Sequence, residues 1–181
     1  MNIALYGGSF DPPHAGHVCV ALKALEVLEC DQLIIVPAFR NPFKTSIVAD
    51  GETRLHWLRS IFEPYPNITI SDFEIRLNQS VTTIETVRHY APLCKKLYLI
   101  IGADNLEALH AWHDYEKLKE MVTFVVATRN NIAIPKEMIA LEVDEPISST
   151  DFRTSFSSLG LSKEIENDII TYYKEHHEPT N

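Results

Sequence analysis

His14 and His17 stand three residues apart, directly after Gly7-Gly8-Ser9-Phe10-Asp11-Pro12-Pro13. At a helix start, two imidazoles with that spacing can reach the same anion. The residues before them give the setting. Ile3-Ala4-Leu5-Tyr6 is a short apolar run of a strand's length. It breaks at Gly7-Gly8, passes through a Pro-Pro turn and takes up helical spacing from Val18. A strand, a glycine turn and a helix start are the parts of a phosphate site. Backbone N–H groups point outward there, and the helix dipole favours an anion. The glycines at 7, 8 and 16 do not form the six-position dinucleotide fingerprint, and no Gly-Lys-Ser/Thr follows to make a P-loop. Gly-Gly alone marks any tight turn. His-x-Gly-His alone fits a helix cap with a surface histidine equally well.

The elements that must hold these residues alternate along the chain. Residues 17–29 form an amphipathic helix with Val18, Ala21, Leu22, Leu25 and Leu28 on one face. Leu33-Ile34-Ile35-Val36 is an unbroken apolar run, the pattern of a strand covered on both faces of a parallel sheet. A loop from Ala38 to Ala49 follows. Its length in a compact domain points to function. Residues 51–62 are helical, and Ile68-Thr69-Ile70 is a short strand. Thr82-x-x-Glu85 has capping-box spacing and opens a helix to about Tyr90. Leu97–Ile101 is a second buried strand, ending at Gly102-Ala103-Asp104. A helix carrying Leu106 and Leu109, another over Tyr115–Met121 and a strand over Thr123–Ala127 come next. Leu141-Glu142-Val143 adds a short strand. Ser148-Ser149-Thr150 can cap a helix from about Asp151. Ser162 caps the last helix, with Ile165, Ile169 and Tyr172 inward.

Strands alternating with helices predict an α/β fold, a doubly wound, Rossmann-like parallel sheet with helices on both faces. Ligands bind such sheets beyond the carboxyl ends of the strands, near the switch point. The Gly7-Gly8 turn, the loop after Val36 and Gly102-Ala103-Asp104 would converge there. A length of 181 residues fits a single domain over 1–181, with a small helical part from about residue 149.

Composition narrows the function classes. The net charge of -9, from 25 acidic and 16 basic residues, argues against a nucleic-acid binder that relies on a broad basic surface. A small basic pocket remains compatible with it. Cys19, Cys30 and Cys94 are odd in number and widely spaced, with no Cys-x-x-Cys, so neither a disulfide framework nor a zinc site is expected. No signal peptide precedes Ile3, and no apolar run approaches the roughly 20 residues of a membrane span. A reducing cytoplasm fits.

Taken whole, Leu5–His17 resembles the signature of the nucleotidylyltransferase superfamily, Gly-Gly-Ser/Thr-Phe-Asp-Pro-x-His-x-Gly-His, at every fixed position. Ile147-Ser148-Ser149-Thr150-Asp151-Phe152-Arg153 resembles its second signature, Ile-Ser-Ser-Thr-x-x-Arg. Thr82–Thr86 and the run from Gly102-Ala103-Asp104 to Trp112 look like the nicotinate-nucleotide adenylyltransferase branch. The resemblance covers most of residues 1–155. It implies adenylyl transfer from ATP to nicotinate mononucleotide, giving deamido-NAD and pyrophosphate. His14, His17 and Arg153 are the implied catalytic residues. Gly7, Gly8, Ser9 and Phe10 would line the ATP side, with Gly102 and Asp104 at the ribose and Ser149, Thr150 and Arg153 on the β- and γ-phosphates. Lys44 would add a phosphate cation, Trp112 would stack on the pyridine ring, and the Thr83 backbone N–H would meet the nicotinate carboxylate. Asp11 would shape the Pro-Pro turn. Mg²⁺ would arrive on the ATP phosphates with no metal ligands from the chain.

Three departures from the family pattern bear on the acceptor. Phe43 precedes Lys44 where histidine is usual, Thr82 stands where tyrosine is usual, and the chain after Arg153 matches poorly. Other acceptors therefore stay open, namely nicotinamide mononucleotide or another phosphorylated compound such as phosphopantetheine. A non-catalytic nucleotide-sensing module is the alternative from a different class. No nucleic-acid or membrane partner is expected, and a homo-oligomer stays open.

Overall fold

The computed structural model describes residues 1–39, 48–128, 133–143 and 147–176. Its elements in chain order begin with β1 (Asn2–Gly8), α1 (Ala15–Val27), β2 (Gln32–Pro37), α2 (Gly51–Phe62), β3 (Ile68–Ile70), α3 (Phe73–Leu77) and α4 (Thr83–Tyr90). They continue with β4 (Lys96–Gly102), α5 (Tyr115–Met121), β5 (Thr123–Thr128), β6 (Ile139–Glu142), α6 (Ser149–Ser155) and α7 (Lys163–His176). The strands form one sheet in the order β3-β2-β1-β4-β5-β6. Every pairing is parallel. This is the doubly wound order, whose direction reverses between β1 and β4. Leu5 sits in register with Ile34 on one side and Leu99 on the other. The crevice at the switch point therefore opens between the ends of β1, at Gly8, and β4, at Gly102.

Alternation along the strands builds two cores. Ala4, Tyr6, Leu33, Ile35, Tyr98 and Ile100 face α1 and α2. Ile3, Leu5, Ile34, Val36, Leu97, Leu99 and Ile101 face α4 and α5. Each large apolar side chain so buried contributes about 1.5–3 kcal/mol. A third cluster joins Trp57 of α2 to Phe152 of α6 and to Ile169 and Tyr173 of α7.

Several expectations shift in detail. In α1 the buried residues are Gly16, Val20, Ala21 and Ala24, with Leu28 buried at its C-cap, while Val18, Leu22 and Leu25 pack only partly. Ala24 is small enough to bring the helix close to the sheet, which rotates the inner face. The segment with Leu106 and Leu109 is a pair of 3₁₀ turns, over Ala103–Asn105 and Leu109–Ala111, rather than an α-helix. The Asn105 side chain donates to the Gly102 carbonyl and to Asp104 Oδ1, both at 3.2 Å. Such local bonds compete with the α-helical ladder. In α7, Tyr173 is the fully buried aromatic and Tyr172 is half-buried. Tyr173 follows Ile169 by four residues, the spacing of one helix face.

Candidate active site

The first motif leaves β1 through Gly7 and Gly8. A Cβ on Gly8 would lie 3.0 Å from the Phe10 ring, so the ring requires glycine there. A Cβ on Gly7 would meet nothing within 4 Å, so Gly7 borders open space. Phe10 has a left-handed backbone, φ 50°, and its ring is buried edge-on to Tyr6 at 5.5 Å and to His17 at 4.8 Å. The Asp11–Pro12 bond is cis. His14 is the N-cap of α1 and is almost fully buried. Its ring centroid lies 3.8 Å from that of His17. The His14 backbone N–H donates to His17 Nδ1 at 3.1 Å. That bond puts the proton of the neutral His17 ring on Nε2, which is then a donor.

The second motif docks onto the first. Ser148 caps α6, accepting from the Asp151 N–H at 3.1 Å. Ser149 Oγ donates to the Pro12 carbonyl at 2.8 Å. Its hydroxyl proton is engaged there, so toward a phosphate it offers its backbone N–H. Arg153 Nη1 donates to the Asp11 carbonyl and lies 3.9 Å from Asp11 Oδ2. Arg153 Nη2 donates to Thr150 Oγ1 at 3.4 Å. Imidazoles and guanidinium thus meet around one turn, although 142 residues separate Asp11 from Arg153.

A cavity of about 450 Å³ is lined by His14, His17, Gly102, Asp104, Ser149 and Thr150, together with Tyr6 and Val143 among its walls. Six of the residues singled out from the sequence therefore share one space. Gly7, Gly8, Ser9, Phe10 and Arg153 are not among its lining residues, and Arg153 is tied to it through the hydrogen bond to Thr150. Thr83 and Trp112 lie outside this cavity. Thr83 is the first residue of α4, behind a capping box in which the Thr82 N–H donates to Glu85 at 2.7 Å. Trp112 packs partly against the second core, and its Nε1–H is buried with no hydrogen-bond partner among the described residues. Arg88 of α4 pairs with Asp114, before α5, at 3.2 Å, tying the two segments together. Lys44 lies outside the described residues. A larger cavity of about 760 Å³ meets the first at Ala103 and Asp104 and is lined by Leu106, His110, Tyr115, Pro135 and Met138. It holds none of the expected phosphate binders, and of the residues expected on the ATP side it shares Asp104 alone.

Three residues that support the site are not singled out by the sequence pattern. Arg54 of α2 is buried, and its guanidinium donates to the carbonyls of Ser9 and Ala38 at 2.8 Å and of Ala49 at 3.0 Å. Burial pushes its pKa down, while Asp11 pulls it back up. Nothing in the local pattern distinguishes Arg54 from a solvated helix arginine, because two of its three carbonyl partners, Ser9 and Ala38, lie 45 and 16 residues away. Glu74 of α3 is buried and accepts from Thr86 of α4 at 2.7 Å. Burial raises its carboxyl above the usual range against the Thr86 and Phe39 hydrogen bonds. Tyr173 donates its hydroxyl proton to Asp11 Oδ1. The Ile165-Ile169-Tyr173 spacing was the available signal for it.

Asp11 itself does more than shape a turn. Its carboxylate accepts from the backbone N–H groups of Val48 at 3.0 Å and Ala49 at 2.9 Å. Among the described residues, no group of three or more His, Cys, Asp or Glu is placed to hold a metal ion. Among them, too, no helix is long and apolar enough to cross a membrane.

Residues 5–155 match the cytidylyltransferase-like family. The chain is 48% identical over 176 residues to a protein of Sulfurimonas denitrificans named "Probable nicotinate-nucleotide adenylyltransferase", with 97% of each chain covered. It is 49% identical over 178 residues to a Nitratiruptor protein of the same name, covering 96% of this chain and 99% of that one. In architecture it resembles the Plasmodium falciparum nicotinic acid mononucleotide adenylyltransferase solved with NaAD. The TM-score is 0.73 at 21% identity, over 96% of this chain and 95% of that one.

Proposed function

Because this chain belongs to the cytidylyltransferase-like family, in its nicotinate-nucleotide adenylyltransferase branch, we propose that it transfers the adenylyl group of ATP to nicotinate mononucleotide. The products are deamido-NAD and pyrophosphate, a step of NAD biosynthesis, and the proposed compartment is the cytoplasm. The observation that carries the reading is the single cavity shared by both imidazoles, the Gly102–Asp104 segment and the start of α6.

A phosphate oxygen of the mononucleotide attacks the α-phosphorus of ATP in line. A P–O bond forms to the acceptor, the bond from Pα to the bridging oxygen breaks, and pyrophosphate leaves with the electron pair. A phosphate monoester carries up to two negative charges at neutral pH, so the nucleophile needs no general base. Catalysis then rests on positioning and on donors aimed where charge builds. His17 Nε2–H, held by its bond to the His14 backbone, is such a donor. His14 beside it, the Ser149 N–H, the Thr150 hydroxyl and Arg153 complete the polyphosphate side. Gly7 leaves room for the phosphates to approach the backbone. Gly102 and Asp104 take the ribose. On the acceptor side, Trp112 stacks on the pyridine ring, the Thr83 N–H takes the carboxylate and Lys44 takes a phosphate. The donors around the cavity suit phosphate oxygens, and Mg²⁺ carried on the ATP phosphates would supply charge neutralisation on the leaving group.

Pyrophosphate release from ATP and Mg²⁺, compared between nicotinate and nicotinamide mononucleotides, tests the reading. Faster turnover of the acid is expected. Faster turnover of the amide would overturn the acceptor assignment, and ATP binding without release for any acceptor would favour a sensor.

A further inference from the structure

We infer that Tyr173 of α7 is a positioning residue for the polyphosphate side, acting through Asp11 on Arg153. The last helix, beyond the residues that match the family, is thereby part of the working site. This rests on the reading of Arg153 as a phosphate ligand.

Asp11 joins four pieces of chain. Oδ1 accepts from the Ala49 N–H and from the Tyr173 hydroxyl, and Oδ2 accepts from the Val48 N–H. Each carboxylate oxygen thus has its own donors, so the group cannot turn without breaking one. Arg153 meets that carboxylate at Oδ2, 3.9 Å away, and separately donates to the Asp11 backbone carbonyl. Partners in this outer layer fix the geometry of the groups that touch ligand. Burial and the Asp11 charge both push the Tyr173 phenol up, so it stays a proton donor throughout the working pH range.

The hydroxyl is separable from the packing of α7. Trp57 stacks on the Tyr173 ring at 6.0 Å, and Phe152 meets it edge-on at 5.5 Å. Trp57 Nε1–H also donates to Asp168 Oδ2 at 2.7 Å. Just before α7, the Leu159 carbonyl accepts from the Ala15 N–H at 2.8 Å. Gly160, at φ +67°, lies so close that a Cβ there would come within 2.9 Å of the Ala15 side chain. The helix is seated by these contacts, and the phenol oxygen adds the link to Asp11.

The test is a double-mutant cycle in the full chain. Tyr173→Phe should lower kcat for pyrophosphate release about tenfold and raise the ATP KM several-fold, with the mononucleotide KM within about twofold. In an Arg153→Ala background the same change should cost less than about twofold. Losses that multiply would mean that Tyr173 acts independently of Arg153, which overturns the inference. Asp11→Asn interrupts the same linkage one step closer and takes the place of Tyr173→Phe in the cycle if that variant does not fold. Its loss must also vanish on the Arg153→Ala background. Asp168→Ala loosens the helix at Trp57 without touching Asp11 and should leave kcat within about twofold. A loss equal to that of Tyr173→Phe would reduce the effect to helix docking and overturn the proposal. Calorimetric ATP binding without acceptor reports on Arg153 separately, so the cycle stays readable if nicotinate mononucleotide is not the acceptor.

Discussion

Asp11 and Glu74 are both buried carboxylates, one beneath the histidines and one beneath the helix that begins at Thr83. Their surroundings differ. Asp11 accepts from two backbone N–H groups and a phenol, with Arg153 nearby. Glu74 has Thr86 and Phe39, and burial outweighs them. The same contrast runs through the two halves of the site. The proposed polyphosphate half is bonded together across distant segments before any ligand arrives. The proposed acceptor half holds Thr83 and Trp112 on neighbouring segments, with a buried indole N–H that has no partner among the described residues. The first half is preorganised for charge. On this proposal the second would be completed by what binds there.

Changes to Asp11 should break this contrast most severely. Asp11→Ala strands two N–H groups and leaves Arg54 and Arg153 without their counter-charge. A loss of about 3–5 kcal/mol is expected in urea unfolding, as for other broken buried ion pairs. A loss under about 1 kcal/mol would mean that the half is not held as described. His17→Ala should come next, lowering kcat about a hundredfold or more with a smaller change in ATP affinity, because the contact strengthens as charge develops. Equal losses in both would show uniform binding instead. Trp112→Ala should raise the mononucleotide KM by roughly tenfold, the scale of one lost stacking contact, while the ATP KM stays put. Parallel movement of both constants would erase the division into halves.

The smallest effect concerns Glu74. Its folded pKa is raised, so its contribution to stability is full below the ordinary glutamate range and is lost as pH rises through the folded value. Glu74→Gln does not titrate. Followed from about pH 4 to about pH 8, the difference in unfolding midpoint should move toward the Gln variant as pH rises. A flat difference would mean that burial costs this carboxylate nothing.

Much of the architecture was legible because it depends on local pattern. The apolar runs at Leu33–Val36 and Leu97–Ile101 are the strands on either side of β1, and the Thr82–Glu85 box opens α4 at the predicted place. The meeting of the Gly7-Gly8 turn with Gly102-Ala103-Asp104 could be expected from strand order, whereas that of the Ser149–Arg153 motif with them was implied by the family resemblance alone. What escaped depends on partners far away in sequence. Arg54 reads as an exposed helix residue until the carbonyls of Ser9, Ala38 and Ala49 surround it. The Leu106–Leu109 segment has helical spacing, yet the Asn105 amide captures the Gly102 carbonyl and tightens the chain into 3₁₀ turns. Tyr172 and Tyr173 are adjacent and equally apolar, and only the phase of α7 against Trp57 decides which one is buried.

Arg54 also bears on how this protein tolerates change. The segment between Ala38 and Ala49 departs from and returns to the same guanidinium. Its two ends are clamped side by side whatever lies between them, and lengthening a closed loop adds little entropic penalty. The length of the intervening chain can therefore change at small cost while Ala38 and Ala49 stay held.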